Sequence, residues 1–382
     1  MSVYLDHAAT SFPKPEVVCR KINEVIRRIG ANPGRSGHKL ALKANRIVLQ
    51  TRERIAELFA IPETEGIVFT CNATEALNLG LKGLLSAGDH AITSSVEHNS
   101  VIRPLKRLEK EGVRFSQVPC SRQGHLNMRL LKKSPEPKTK LIILTHASNV
   151  TGALFPVEEV GAFARARGIL FMVDAAQTAG LVPIDVQKMK IDLLACAGHK
   201  SLYGPQGTGF LYIRKGIDLR PLKEGGTGSE SDTEEQPSTL PQRYESGTLN
   251  TPGIAGLGAG ISFILEKGIE NIWKKEKRLT RLLLQGLKRI KGVHVYGPAE
   301  AEERVPLLAF NLGSMNPAEV GFILDEYYDI LVRVGLHCAP QAHRTMGTFP
   351  DGTVRASWGF FNKVEDLDLL LKALRDITHM KS

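Results

Sequence analysis

The stretch Ala195-Cys-Ala-Gly-His-Lys-Ser201 closes an apolar run, 191–197, on a lysine. A run so short and so continuously apolar reads as a strand buried on both faces. A lysine after glycine-histidine is ordinarily a solvated loop charge, because lysines are almost never buried. Lys200 differs in following the end of a core strand. Upstream, Phe171-Met-Val-Asp-Ala-Ala-Gln177 is a second apolar strand, and it ends in an acid at Asp174. At the ends of two core strands of an open sheet, an acid and a lysine meet in the crevice where α/β proteins bind ligands.

The flanking sequence supports that sheet. Further strands are expected at 67–70, 91–95, 113–118, 140–145 and 210–213, and helices at 15–29, 40–59, 100–111 and 156–167. Strands alternating with helices predict an α/β fold, with a mostly parallel mixed sheet covered by helices on both faces. Asn72-Ala-Thr-Glu75 starts the helix carrying Leu77, Leu81 and Leu84. Backbone N–H groups at a helix start bind phosphate well, so Ala73 and Thr74 are a candidate phosphate cradle; the same residues also suit an ordinary helix cap.

The lysine–acid pair suggests pyridoxal 5'-phosphate (PLP), which needs an amine to hold its aldehyde and a carboxylate to keep its ring nitrogen protonated. Lys200 supplies the amine, made nucleophilic by desolvation. Asp174 serves the ring nitrogen and Gln177 the ring hydroxyl.

Asp174-Ala-Ala-Gln177, Gly198-His-Lys200, Asn72-Ala-Thr-Glu75 and Arg333-Val-Gly-Leu-His-Cys-Ala339 resemble the class V aminotransferase family, in its cysteine desulfurase and selenocysteine lyase branch. The similarity runs from Tyr4-Leu-Asp-His-Ala-Ala-Thr10 to Val354-Arg-Ala-Ser357. It implies the PLP fold type I, with a large PLP-binding domain over 14–251. It also implies a smaller α+β domain made of 1–13 and 252–382, which carries the active-site cysteine loop. The resemblance places Ala8, Ala9 and His38 near the substrate, although an exposed loop histidine would read the same way. It stacks His98 on the cofactor ring, where an imidazole titrating near operating pH could also shuttle protons. Asn149 borders the ring hydroxyl and the substrate carboxylate, and His199 lies at the phosphate end. Thr248 is the residue that touches the phosphate of a neighbouring subunit, which implies a homodimer.

Two departures stand out. Three residues before the lysine the family often has a phosphate-binding serine; here the residue is Ala197, so Thr74, His199 and backbone groups carry more of that task. Residues 339–354, with His343, Arg344 and Pro350-Asp-Gly352, form an insert near the cysteine whose task the sequence does not give. Residues 223–241 are rich in glycine, serine, threonine and acids without apolar periodicity, and are expected to be a mobile loop. Beyond 252, amphipathic helices at 253–266 and 269–291 precede strands near 293–296 and 307–311.

Cys338 decides the substrate class. A cysteine is usually a buried small hydrophobe, and Cys19, Cys71, Cys120 and Cys196 are read so. Cys338 sits in a glycine- and proline-bounded loop, where Arg333 and His337 are expected to favour its thiolate. The resemblance implies that L-cysteine displaces Lys200, that Lys200 or His98 takes the alpha proton, and that Cys338 keeps the sulfur as a persulfide. A protein then accepts it. Arg355 is the substrate carboxylate clamp, a task that suits a bidentate guanidinium, or else a surface ion pair on an edge strand. A selenocysteine lyase, an amino-group transfer or epimerisation with Cys338 incidental, and a cofactor-free binding protein remain open.

Composition bounds these readings. The 382 residues allow two domains; 42% are hydrophobic and 24% charged, as in ordinary globular proteins. No apolar run approaches the ~20 residues of a membrane span. The chain enters Val3-Tyr-Leu-Asp6 without a basic start and an apolar stretch, so a cytoplasmic protein is expected. Five scattered cysteines do not form a disulfide framework, and no cysteine or histidine pair has metal spacing, so no metal is expected. The net charge of +10 is spread over helix faces and points to anionic ligands rather than to nucleic acid.

Overall fold

Strand β5 shows how the sheet is built. The computed structural model describes residues 2–34, 37–230 and 232–380. In chain order its elements begin with β1 (Val3–Tyr4), α1 (Glu16–Arg28), α2 (Lys39–Phe59), β2 (Ile67–Thr70), α3 (Ala73–Leu84), β3 (His90–Ser94), α4 (Asn99–Glu109), β4 (Arg114–Val118), α5 (Met128–Leu131) and β5 (Thr139–Thr145). They continue with α6 (Val157–Arg165), β6 (Leu170–Asp174), β7 (Leu193–Ala197), β8 (Gly209–Ile213), α7 (Thr251–Lys267) and α8 (Ile269–Leu287). In β5, Ile142 and Leu144 pack into one core while Leu141 and Ile143 pack into another. β6 and β7 repeat the alternation: Phe171, Val173, Leu194 and Cys196 face the first core, Met172, Leu193 and Ala195 the second. Both faces of these strands are covered, so the sequence is continuously apolar there rather than alternating.

Among the described residues the main sheet has seven strands in the order β2-β8-β7-β6-β5-β3-β4. The inner pairs β3–β4, β3–β5, β5–β6 and β6–β7 are parallel, and β8 pairs antiparallel with both β7 and β2. Helices α3 and α4 cover one face and α2, α6 and α7 the other. The expected α/β architecture is the one observed. Small residues let α7 lie close on α2: a Cβ built at Gly258 would stand 2.5 Å from Thr51 Oγ1.

The chain closes with β9 (Val293–Tyr296), β10 (Leu307–Leu312), α9 (Pro317–Tyr328), β11 (Ile330–Leu331), β12 (Arg333–Gly335), α10 (Pro340–Met346), β13 (Thr353–Ser357) and α11 (Val364–Met380). A second, antiparallel sheet, β12-β13-β10-β9, packs with α8, α9 and α11 around its own core, which Val3 and Leu5 of the N-terminal arm join. β1 pairs parallel with β11, so the arm is tied to this unit. The expected division at 251/252 falls at the start of α7, whose Ile254, Leu257, Ile261 and Ile264 are buried in the core of the main sheet. The helix expected over 269–291 stops at Leu287, and Gly292 takes a positive φ of 86° ahead of β9. The 339–354 insert folds as α10 and the start of β13. Residues 223–241, Ser231 aside, form turns and bends, with the Gln236 amide donating to Arg243 O.

Arg304 seams the two units. Fully buried, it donates to Pro298 O (2.6 Å), Thr151 O (3.0 Å), Tyr296 O (3.1 Å) and Leu307 O (3.1 Å). Beside it, Val305 N donates to Gly152 O and Leu154 N to Glu303 O. The loop that follows β5 is thereby fixed to the smaller unit. Arg304→Met strands these carbonyls without a donor. It is expected to lower unfolding free energy by about 2–3 kcal/mol, read as a lower urea midpoint with an unchanged slope.

Candidate functional site

At the C-terminal edge of the parallel strands lies a cavity of about 210 Å³. Ala73, Thr74, His98, Asn149, Asp174, Gln177, His199 and Lys200 all line it. Residues called from five separate stretches of sequence thus meet because each follows the end of a strand in one sheet.

Lys200 follows β7. Enclosure pushes its amine down to about 8 from 10.5, with Arg355 and Arg333 adding repulsion and Asp174 opposing the fall. Asp174 ends β6; burial raises its carboxyl, while the Ala176 N–H (2.9 Å) and Lys200 pull it back. The N-terminal arm clasps the lysine loop. Ser11 Oγ donates to Lys200 O (2.8 Å), and Lys14 Nζ donates to His199 O (2.8 Å). Burial also pushes Lys14 down to about 8. His199 Nδ1 is buried without a hydrogen-bond partner.

Ala73 and Thr74 open α3, capped by Asn72 Oδ1, which accepts from Glu75 N at 2.9 Å. Thr74 Oγ1 lies 2.7 Å from Ser100 Oγ. His98 caps α4, its Nδ1 accepting from Ser100 N at 3.1 Å, so the neutral ring carries its proton on Nε2. Burial, then Lys200, Arg333, Arg355 and Arg103, hold His98 down to about 4. The expected titration near neutral pH is therefore not met: the surrounding cations and the enclosure keep the ring uncharged.

Arg355 lies inside the protein, on the inner strand β13, and not on an exposed edge. Its Nη2 donates to Asp6 Oδ1 (2.9 Å) and its Nη1 to Asn149 O (3.0 Å), leaving Nε buried and unpartnered. Ala8 N donates to Ser357 Oγ (2.9 Å), Gln177 Nε2 donates to Ala8 O (3.1 Å), and Ala9 N donates to Asp6 O (3.0 Å). His38 and Thr248 are not at this cavity. His38 caps α2 through Ala41 N, and Thr248 Oγ1 sits 3.4 Å from Asn32 Nδ2, beside a different cavity.

Cys338 is exposed in a groove that shares Thr74, His98 and Ser100 with the cavity. Its loop is strained: His337 and Cys338 have φ of 48° and 57°, a left-handed conformation that non-glycine residues seldom adopt. Asn149 Nδ2 to His337 O (2.7 Å) and Asn99 N to Cys338 O (2.8 Å) are among the contacts that hold it. Arg333 Nη2 lies 3.8 Å from Cys338 Sγ. His337 cannot share in that charge as expected, because burial, Arg355 and His343 push it down to about 2. His343, from the insert, stands behind it, with its Nε2 3.4 Å from His337 Nδ1 and its own Nδ1 2.8 Å from Thr348 Oγ1. Arg344 stacks on Phe349 instead.

Four residues escaped the sequence reading. Asp6, Ser11 and Lys14 reach the site through the arm. Glu97 is fully buried below His98, its Oε2 accepting from Thr145 N (2.9 Å) and its Oε1 from Ser94 Oγ (2.6 Å); burial raises it to about 8. An acid before a histidine carries no mark of this in sequence.

Residues 3–370 match the aminotransferase class-V family. A probable cysteine desulfurase of Methanothermobacter thermautotrophicus is 37% identical, covering 99% of this chain and 95% of its own. A cysteine desulfurase of Yersinia pestis is 34% identical, covering 98% and 93%. The apo structure of a cysteine desulfurase from Thermococcus onnurineus superposes with a TM-score of 0.93 at 33% identity, covering 99% of this chain and 95% of that one.

The Lys200 amine gives a direct test. Its reaction with an aromatic aldehyde, followed in the cofactor-free protein, is expected to rise with pH about a midpoint near 8 rather than 10.5. Asp174→Asn is expected to move that midpoint lower, since a negative charge that favours the ammonium is removed.

Proposed function

Because the chain belongs to the class-V aminotransferase family, we propose that it removes sulfur from L-cysteine, releasing alanine and keeping the sulfur on Cys338. The family is PLP-dependent, and the residues present fit that cofactor. Ala73 and Thr74 at the start of α3, together with the unpartnered His199 Nδ1, suit its phosphate end. Asp174 would pair with its ring nitrogen, His98 and Gln177 would border it, and Lys200 is the amine that would hold its aldehyde. When bound, the cofactor supplies an electron sink for charge developing on the alpha carbon of the amino acid.

The chain's own groups supply the rest. Arg355, oriented by Asp6 and Asn149 O, has a free Nε to bind the substrate carboxylate. Lys200 Nζ, with its basicity lowered to about 8, takes the alpha proton in its free-amine form and returns one later. His98, held neutral, acts as a flat wall with a donor at Nε2 rather than as the base. Cys338 Sγ, beside the Arg333 guanidinium, takes the substrate sulfur and becomes a persulfide. The observation that carries this reading is the placement of an exposed thiol in a groove continuous with the lysine cavity.

Several further features belong to the same reading. His38 and Thr248 lie away from their own cavity, which supports a homodimer in which they approach the partner's site. Five unpaired cysteines, two of them buried or half-buried and three exposed, support a reducing, cytoplasmic setting. A protein takes the sulfur from Cys338.

Two outcomes test the assignment. Single-turnover labelling with sulfur-labelled cysteine is expected to leave label on Cys338, and Cys338→Ala is expected to abolish alanine formation from cysteine; full activity in that variant would refute the thiol's part. Arg355→Lys is expected to lower kcat/KM for cysteine about 100-fold, mostly through KM, which corresponds to about 2.7 kcal/mol of lost carboxylate binding.

A further inference from the structure

The groove that exposes Cys338 continues along the seam between α3 and α4. One wall is Thr74, Asn78 and Lys82, the other Asn99, Arg103 and Arg107. Within each set the residues are four apart, so each set forms a single helix face. At 1.5 Å rise per residue each wall is roughly 12 Å long. Both helices start at the strand ends, so the walls share a polarity: neutral Thr74 and Asn99 stand beside the thiol, and Lys82 and Arg107 stand at the far end. Asn99 N, bonded to Cys338 O at 2.8 Å, fixes the thiol at the near end. The groove holds about 440 Å³, and no acid is among its described lining residues. Lys82 and Arg103 form no ion pair among the described residues, and Arg107 is shared with the exposed Glu111 at 2.7 Å.

We propose that this groove receives an acidic, cysteine-bearing segment of a protein that accepts the sulfur. This rests on the persulfide reading above and adds the acceptor's chemistry to it. An extended chain covers roughly 12 Å in about four residues. A cysteine at Cys338 therefore sets carboxylates two to four positions further along against Arg103, Lys82 and Arg107. A small mercapto acid, whose charges sit next to its sulfur, does not reach them. The transfer is balanced without any other reagent. The acceptor thiolate attacks the outer sulfur of the Cys338 persulfide, the new sulfur–sulfur bond forms as the old one breaks, Cys338 leaves as thiolate, and the acceptor departs as the hydropersulfide with its proton. One sulfur is oxidised as the other is reduced.

The test loads Cys338 of the holoenzyme with labelled sulfur from cysteine, then mixes it with three probes. These are a six-residue peptide with N-terminal cysteine followed by glycine, aspartates and glutamates; the same peptide with asparagine and glutamine in place of the acids; and mercaptosuccinate. The acidic peptide is expected to take label about tenfold faster than either of the others at low salt. The advantage is expected to vanish in about 0.5 M salt, where charges are screened within a few ångströms. It is also expected to vanish in the Lys82→Gln, Arg107→Gln double variant, while turnover with dithiothreitol stays unchanged. Equal rates for the two peptides, an advantage that survives in the double variant, or mercaptosuccinate matching the acidic peptide would each overturn the inference. Absence of label on Cys338 before mixing would instead sink the persulfide reading, and this inference with it.

Discussion

The structure depends on keeping a lysine amine enclosed at the end of a core strand. Water would hold that amine protonated; inside the cavity it falls to about 8, with the Asp174 carboxyl opposite as the group that limits the fall. The enclosure is made by chain far away in sequence. The N-terminal arm leaves the smaller unit, crosses the site, and pins the lysine loop through Ser11 and Lys14. Its Asp6 reaches the guanidinium of Arg355 on β13. A single short segment thus couples the lysine loop to Arg355.

The smaller unit then brings two reactive groups to the mouth of the cavity. Arg304 holds the loop after β5 to that unit, and Asn149 in this loop bonds both ways: its carbonyl accepts from Arg355 and its amide donates to His337 O. The left-handed pair His337–Cys338 costs backbone strain of order 1–3 kcal/mol per residue. Asn149, Asn99 and the His337–His343–Thr348 chain resist its relaxation. Arg355 and Cys338 are therefore placed by the same short run of bonds.

The sheet was legible because strands buried on both faces are continuously apolar; β5, β6 and β7 could be read almost to the residue. Lys200, Asp174 and Cys338 were legible because strand ends and a glycine-bounded loop mark unusual places for those side chains. What remained hidden depended on distant contacts. Asp6, Ser11 and Lys14 are ordinary polar residues until the arm folds across the site. Glu97 and His343 are buried by neighbours more than forty residues away or by a turn of the insert, and periodicity does not encode that. The same enclosure overturned two electrostatic expectations: His98 and His337 stand among arginines and are uncharged, so the positive charge near the thiol comes from arginines, Arg333 beside it and Arg355 within electrostatic reach.

Lys200, and no other amine, is expected to carry the cofactor. Lys14 is the natural control, since burial lowers it to a similar value and it donates to His199 O next to Lys200. The protein incubated with PLP, reduced with borohydride, digested and analysed by mass spectrometry should carry a pyridoxyl group on Lys200 alone. A group found on Lys14, or Lys200 recovered unmodified, would contradict it.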